Sequence, residues 1–535
     1  MNKKIVAETH PNHYLLHKYW GRKPHNIVNE YIRKYTKEGN IVFDPFMGSG
    51  VTIIESLKLN RKAIGVDLNP ISFLITKVTI EKTNLDIFSN DFKKILNSCS
   101  NIQILLYQTE CNRCGSESII DNMVWEGNIP KKIRGICKKC GVFLKIPNER
   151  DEKKIKFIED NFGLLLIKNK VKKLPDDEIM KYVRRSGAFR ITDLFTKRNI
   201  IALGILKSKI NKIRNIESKN LLLLTFSSML SNASSMIPGN IDNGNGRSGW
   251  VISKLYIPKI HTERNVFSAF KQRFKTIIKG KKELNLNISD TKVKIFNRSS
   301  ENIKDIIKDN SVDYIFADPP YGENIPYLGC SMLFNSWLGF KTDYENEIIC
   351  DKYRKKTIQD YKDRLLKVIK ECYRILKPSK YLTLTFNNRD LRIWKTILEV
   401  VSESGFRLMN INHHYSAVSS GIQGLNKESA IKGDFFYTFK KEDYVCSQKQ
   451  FELILDRCED IKNYLIKKVE EIIKKKKGAT ISVIYENLIP LLVNNGMLER
   501  CADYLSNIDD ILKNHFRLVI EKDNNKKTDI YKWGI

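Results

Sequence analysis

The chain has 535 residues, 42% of them hydrophobic, which is too long for one small core and apolar enough to fold unaided, so two or three domains are expected. Lys and Arg number 92 against 61 Asp and Glu, a formal net charge of +31 with a pI near 9.5. That is the electrostatic footprint of a nucleic-acid binder, although a chain this rich in Lys, Asn and Ile also reflects an AT-rich coding sequence.

Eleven cysteines, four of them in Cys-x-x-Cys pairs, suit a reducing compartment better than a disulfide scaffold. The apolar run after Met1 is broken at once by Glu8, His10 and Pro11, and no stretch approaches a membrane span. A cytoplasmic protein without membrane contact is expected.

In chain order, His10, His13, His17 and His25 come first, with a spacing that fits no helix face; they are expected as scattered surface histidines rather than a metal site. Lys18-Tyr19-Trp20-Gly21-Arg22-Lys23-Pro24 packs basic and aromatic residues together, ahead of an amphipathic helix through Ile27, Ile32 and Tyr35. Asn40 to Phe43 reads as a short strand. It runs into the loop Asp44-Pro45-Phe46-Met47-Gly48-Ser49-Gly50, and a helix starts near Val51. Gly48 and Gly50 let backbone approach a ligand closely, and the helix N-terminus favours a carboxylate on that ligand. The absence of a third glycine argues against a dinucleotide fingerprint. Ala63 to Val66 reads as the second strand and ends at Asp67, 19 residues after Gly48, where an acid can accept both hydroxyls of a ribose.

The sheet pattern is then interrupted from about Thr79 to Asp290. Cys111-Asn112-Arg113-Cys114-Gly115 and Cys137-Lys138-Lys139-Cys140-Gly141 form two knuckles with 22 residues between them, the pattern of a closed, structural zinc site on four thiolates. Lys131, Lys132, Arg134, Lys138 and Lys139 lie beside the knuckles, as a phosphate-facing surface or simply a solvated one. A charged helical stretch from about Asn148 to Asp177 leads to Tyr182, Arg184, Arg185, Phe189 and Arg190 and on through Asp193 to Asn199. Interleaved basic and aromatic residues of this kind suit a groove that tracks a nucleic-acid strand. A helix containing Leu221 to Phe226 follows. Ser231 to Trp250, rich in Asn, Gly and Ser, is expected to be either mobile or ordered by nucleic acid.

Alternation resumes with a strand at Lys292 to Phe296, a helix at Glu301 to Lys308, a strand at Val312 to Ala317, a helix at Tyr361 to Leu376, a strand at Tyr381 to Phe386 and a helix at Leu391 to Ser404. Strands at Arg407 to Asn412 and Phe435 to Phe439 close the pattern as an antiparallel pair. The run Val312 to Ala317 stops abruptly at Asp318-Pro319-Pro320-Tyr321, and open α/β sheets bind ligands just beyond such strand ends. The tetrapeptide suits transfer of a group to a planar amine, whose lone pair is delocalised into a ring. The Asp318 carboxylate and the Pro319 carbonyl can each accept one N–H, letting the nitrogen turn pyramidal. Proline fixes φ and brings no competing donor, and Tyr321 can stack on a base rotated out of a duplex.

Asp318-Pro319-Pro320-Tyr321 resembles the catalytic motif of S-adenosylmethionine-dependent DNA amino-methyltransferases, the adenine-N6 and cytosine-N4 family. The resemblance covers roughly residues 13 to 80 and 290 to 440, with the insertion matched mainly at Phe195 to Asn199. It implies an α/β fold, the seven-stranded sheet of Class I methyltransferases, here with a large zinc-ribbon-containing insertion and a helical C-terminal tail. It implies S-adenosylmethionine held by Asp44, Pro45, Phe46, Gly48, Gly50, Asp67 and Asn69. The segment around Tyr19 would close over the methionine end. Where many relatives put an acid beside the adenine, this chain has Asn297-Arg298-Ser299-Ser300.

The expected organisation is thus residues 1–80 as the first part of the catalytic core with the cofactor loop, 81–290 as an insertion carrying the ribbon (about 108–145) and a DNA-recognition region, 291–442 as the second part with the catalytic motif, and 443–535 as an accessory helical domain. Expected site residues are Asp318, Pro319, Pro320 and Tyr321 for catalysis and Cys111, Cys114, Cys137 and Cys140 for structural Zn2+. An acid opening the tetrapeptide leans towards adenine N6, with cytosine N4 the alternative. DNA is the expected partner, with a restriction or defence-system nuclease beside it. Competing readings are an RNA guanine-N2 methyltransferase and a catalytically inactive zinc-ribbon DNA-binding subunit.

Overall fold

The computed structural model describes residues 5–171, 173–175, 177–179, 184–186, 188–246, 254–284, 292–322, 325–415, 431–442, 458–523 and 528–535. Its centre is a seven-stranded mixed sheet in the order Val293–Asn297, Lys62–Asp67, Ile41–Asp44, Val312–Ala317, Leu376–Phe386, Asp434–Lys441, Phe406–His414. All neighbours are parallel except for Asp434–Lys441, which runs antiparallel to the strands on either side. Each of the seven was expected from the sequence, and the terminal antiparallel arrangement follows the alternation of the last two segments.

The central strand Val312–Ala317 is buried along its whole length, as a parallel strand covered on both faces must be. Helix His25–Tyr35 covers one face through Ile27, Val28, Tyr31 and Ile32. Ile358–Ile375 and Leu391–Glu403 cover the other with Tyr361, Leu365, Ile369, Trp394 and Ile397. The first of these starts at a capping box, Thr357 and Asp360 exchanging side-chain and backbone bonds, which fixes where that helix begins.

The insertion does not stand apart. Helices Lys197–Asn211, Ile216–Ala233 and Val266–Glu283 share one apolar core with Leu16, Trp20, helix Pro70–Ile80 and helix Tyr327–Leu338, so the insertion is built on the same elements that border the Asp44 to Gly50 turn and the Asp318 to Tyr321 turn. Beside them the strands Ile260–Arg264, Glu117–Glu126, Ile129–Cys137 and Gly141–Lys145 form an antiparallel sheet, with Gln108–Glu110 also paired to Glu117–Glu126. Asn199 locks this arrangement: its Nδ2 donates to the carbonyls of Ala233 (2.7 Å) and Arg264 (2.9 Å), and its Oδ1 accepts from Tyr107 (2.6 Å).

Several expectations are corrected. Glu301 to Lys308 is a single turn, not a helix: Ile303 and Ile307 are buried four residues apart, but the Ile303 N–H is taken by Glu371 and those of Asn310 and Ser311 by the end of helix Ile358–Ile375. The charged stretch after Asn148 is two helices, Glu149–Asp160 and Phe162–Lys168, and ends there. His13 and His17 are buried, not on the surface, because Tyr14, Leu16 and Trp20 carry this segment into the core; His17 Nε2 faces Ser227 Oγ at 3.1 Å. The Asn-rich segment is ordered by protein up to Gly246: Met236 and Ile237 are buried anchors, and a small hairpin pairs Gly239–Asn240 with Asn245–Gly246. Its remainder to Trp250, and Tyr182, lie outside the described residues. The tail is not wholly helical: four helices from Cys458 to His515 are followed by the hairpin Arg517–Asp523 with Thr528–Gly534. Nor is it independent, because Ile484, Tyr485, Leu488 and Cys501 join the core under Leu391–Glu403. Among the described residues no helix is long and apolar enough to cross a membrane.

Candidate active site and cysteine cluster

The parallel register sets Val42 beside Tyr314 and Phe43 beside Ile315, so Asp44 and Asp318 emerge from adjacent strands at their carboxyl ends. The turn between Asp44 and helix Val51–Lys58 needs left-handed backbone at Gly48 (φ 49°) and Gly50 (φ 80°). Neighbours also exclude a side chain there: a Cβ on Gly48 would sit 2.9 Å from the Tyr19 ring, and one on Gly50 would sit 2.6 Å from Thr76. Asp67 closes the turn from the next strand, accepting from the N–H of Gly48 and of Asn69, each at 2.8 Å. Burial raises the Asp67 carboxyl to about 6 against those two bonds, and that of Asp44 to about 7.

Tyr19, Asp44, Pro45, Phe46, Gly48, Asp67, Asn69, Asp318 and Pro320 line one continuous cleft, with Gly50 immediately behind Ser49. Asn69 turns its amide away, donating to Ser331 (2.6 Å) and accepting from Asn335 (3.2 Å), and so ties helix Pro70–Ile80 to helix Tyr327–Leu338. Asn297 donates to the carbonyls of Asp67 and Leu68, while Arg298, Ser299 and Ser300 border the cleft.

The turn Asp318 to Tyr321 is fixed from three sides. The Asp318 carboxylate accepts from Tyr321 OH and Thr385 Oγ1, each at 2.7 Å. Tyr361 donates to the Pro320 carbonyl (2.6 Å) and Asn388 to that of Tyr321 (3.2 Å). Among the described residues none donates to the Pro319 carbonyl. Tyr321 sets its ring edge-to-face against Phe386. Burial raises the Asp318 carboxyl, and Lys23 opposes that shift.

Lys23, Arg22, Thr385 and Asp434 are the residues that sequence reasoning did not single out. Lys23 is buried and reaches the site from the N-terminal segment, with Nζ 3.3 Å from Asp318, 3.1 Å from Asp434 and over the Tyr321 ring. Arg22 donates to Ser49 Oγ (2.9 Å) and to the His17 carbonyl (3.2 Å), and burial pulls it down to about 10. In sequence these are two of three cations between Lys18 and Pro24, and spacing does not tell which turns inward. The tail reaches the same edge: Tyr485 donates to the Arg389 carbonyl and the Leu391 N–H bonds to Ser506, buttressing the turn behind Tyr321.

Away from the cleft, Cys111, Cys114, Cys137 and Cys140 place their four sulfurs within 4.8 Å of one another, with Cys114 and Cys137 at 3.7 Å. Gly115 (φ 67°) and Gly141 (φ 73°) make the left-handed turns after each pair. Backbone N–H donation from Cys140 lowers the Cys137 thiol to about 6.

Comparisons with known proteins follow the same outline. The type II methyltransferase M.MvaI of Kocuria varians is 21% identical over 417 residues, 70% of this chain and 76% of its own length. Shorter matches are 32% identical over 81 residues to M.MjaII of Methanocaldococcus jannaschii and 40% over 75 residues to M.HindIII of Haemophilus influenzae, both type II methyltransferases. These two matches span 15% and 14% of this chain and 14% and 24% of those proteins. A family described as DNA methylase matches residues 3–77 and 312–531, more than half of the chain and on into the tail. The chain belongs to that family, the N6/N4 DNA amino-methyltransferases.

Proposed function

We propose that the protein is a DNA methyltransferase that transfers the methyl group of S-adenosylmethionine to the N6 amino group of adenine. The observation that carries this reading is Asp318 opening from the central strand into the cleft that also holds Gly48 and Asp67. S-adenosylmethionine supplies a methyl carbon made electrophilic by its sulfonium.

Asp67 accepts the ribose hydroxyls, and the turn from Asp44 to Gly50 faces the methionine end under Tyr19. Asp318 and the Pro319 carbonyl accept the two N–H groups of the target amine, freeing its lone pair for in-line attack. After transfer the nitrogen carries an extra proton, and Asp318 is the nearest base to take it. Tyr321, whose hydroxyl accepts from Lys23 and donates to Asp318, offers its ring to the flipped base. An acid at position 318 is the stronger acceptor, and the resemblance of an Asp-initiated tetrapeptide to adenine enzymes supports N6.

The four thiolates fit one structural Zn2+, since ligands at about 2.3 Å in a tetrahedron lie about 3.8 Å apart; the ion would fold the ribbon and take no part in transfer. Relatives bearing the name type II methyltransferase support a restriction-modification or phage-defence setting with a nuclease as functional partner.

The test is to incubate the protein with S-adenosylmethionine and unmodified duplex DNA, digest to nucleosides and identify them by mass. N6-methyladenine is expected. N4-methylcytosine as the sole product overturns the adenine assignment, and methylation of RNA but not DNA overturns the substrate.

A further inference from the structure

The strands Ile260–Arg264, Glu117–Glu126 and Ile129–Cys137 are neighbours, and their register sets Arg264 opposite Asn122 and Asn122 opposite Arg134. Residues directly opposite in antiparallel pairs project to the same face, so an asparagine flanked by two arginines forms a row across three strands. This row lines a recess of about 630 Å3 together with Asp121, Thr262 and Asn245. Asn245 comes from the small hairpin, which is stiffened by the Asn240 side chain and carbonyl accepting from Asp242 and Gly244, and it accepts from Asn122 Nδ2 at 3.3 Å.

The recess is polar and incompletely paired. Asp121 is ion-paired with Arg134 and is the single acid among the described residues lining it, against two guanidinium groups. Arg264 Nε, Asn122 Oδ1 and Thr262 Oγ1 are buried and have no partner among the described residues, although Asn122 is only 8% exposed and Thr262 3%. Native proteins rarely leave such atoms without water or a ligand. A phosphate needs donors alone, whereas the row sets between its two arginines an asparagine amide, which carries an acceptor as well as the donor it shares with Asn245. A base edge in the major groove presents donors and acceptors side by side, arginine being the common partner of guanine O6 and N7, and strands are among the elements that enter that groove.

We propose that the row Arg264–Asn122–Arg134 reads base edges flanking the target nucleotide, with Arg264 donating to a guanine. This rests on the DNA reading above. None of these residues borders the catalytic cleft.

The test maps methylated positions on plasmid DNA by single-molecule sequencing for the wild type and for R264Q, N122A and N245A. The wild type is expected to mark one sequence. Each variant is expected to mark related sequences as well, its discrimination falling by about tenfold or more at one or two positions, with unchanged melting temperature and S-adenosylmethionine affinity. Should R264Q fail to fold, N245A on the half-buried hairpin carries the test. An unchanged set of sequences at unchanged rates overturns the proposal. So does a uniform loss of rate at all sequences with a shallower salt dependence, the behaviour of a phosphate contact. Wild-type protein that methylates no DNA would instead overturn the function itself.

Discussion

The Lys23 ammonium lies 3.3 Å from the Asp318 carboxylate, joining the first segment of the chain to the catalytic turn inside a buried site. Asp434 faces the same ammonium at 3.1 Å. Asp318, which burial would push towards neutrality, thus shares one cation with Asp434, and that cation favours its ionised form. Replacing Lys23 by Met is expected to raise the Asp318 carboxyl further, so the acid limb of the kcat/KM profile moves to higher pH. Transfer should fall by about 10- to 150-fold, the equivalent of one lost charge-assisted bond of about 1.5–3 kcal/mol. Lys23→Arg should keep the limb near its wild-type position. A pH profile identical to wild type in Lys23→Met would show that the lysine serves packing alone.

If Asp67 holds the ribose as proposed, cofactor affinity is expected to depend on pH. Burial places its carboxyl at about 6, and only the ionised form accepts ribose hydroxyls while holding the Gly48 and Asn69 N–H groups. Binding that selects the carboxylate is strong above this value and weakens as pH falls through it. Calorimetry across that range should show the decline in wild type and a flat, weaker profile in Asp67→Asn. Asp67→Ala should lose about 1.5–3 kcal/mol of binding free energy. Affinity independent of pH in the wild type would remove Asp67 from the ribose site.

One zinc per chain is expected by elemental analysis, released on exhaustive chelation. The double change Cys111→Ser and Cys114→Ser should lower the melting temperature and loosen the ribbon, because structural zinc binding is folding free energy. Metal-free protein of wild-type stability would refute the site.

The strand that carries Arg264 is anchored by Glu263, which accepts from Trp125 Nε1 (2.9 Å) and Thr196 Oγ1 (2.6 Å) and is ion-paired with Arg198 in the interior. Arg198→Met leaves that carboxylate buried and unpaired and should destabilise the fold by about 3–5 kcal/mol in denaturant titrations. Adding Glu263→Leu should recover part of the loss. A single variant as stable as wild type would mean that water reaches Glu263.

Most strands of the sheet were legible as short apolar runs bounded by a turn residue or an acid, as at Val312 to Ala317, and the turn after Asp44 because Gly48 and Gly50 stand just before the helix at Val51. The helix expected at Glu301 to Lys308 was misleading: Ile303 and Ile307 have helical spacing, yet after the one turn closed on the Ile303 carbonyl the Asn310 and Ser311 N–H groups pair with the end of helix Ile358–Ile375. The histidines misled for a related reason. Spacing records which residues share a helix face, but His13 and His17 are buried by the chain path between Tyr14 and Trp20.

By itself the sequence determined the strand ends that carry Asp44, Asp67 and Asp318, the two cysteine pairs and the amine-transfer chemistry, since each depends on residues close together in the chain. Only the tertiary structure decided what surrounds them. Lys23 and Thr385 meet at Asp318 and Asp434 meets Lys23, from three distant segments; the tail braces the turn behind Tyr321, and Arg264, Asn122 and Arg134 align through strand register. Pairing register and the sharing of one buried cation are set by packing between segments, which local pattern does not encode.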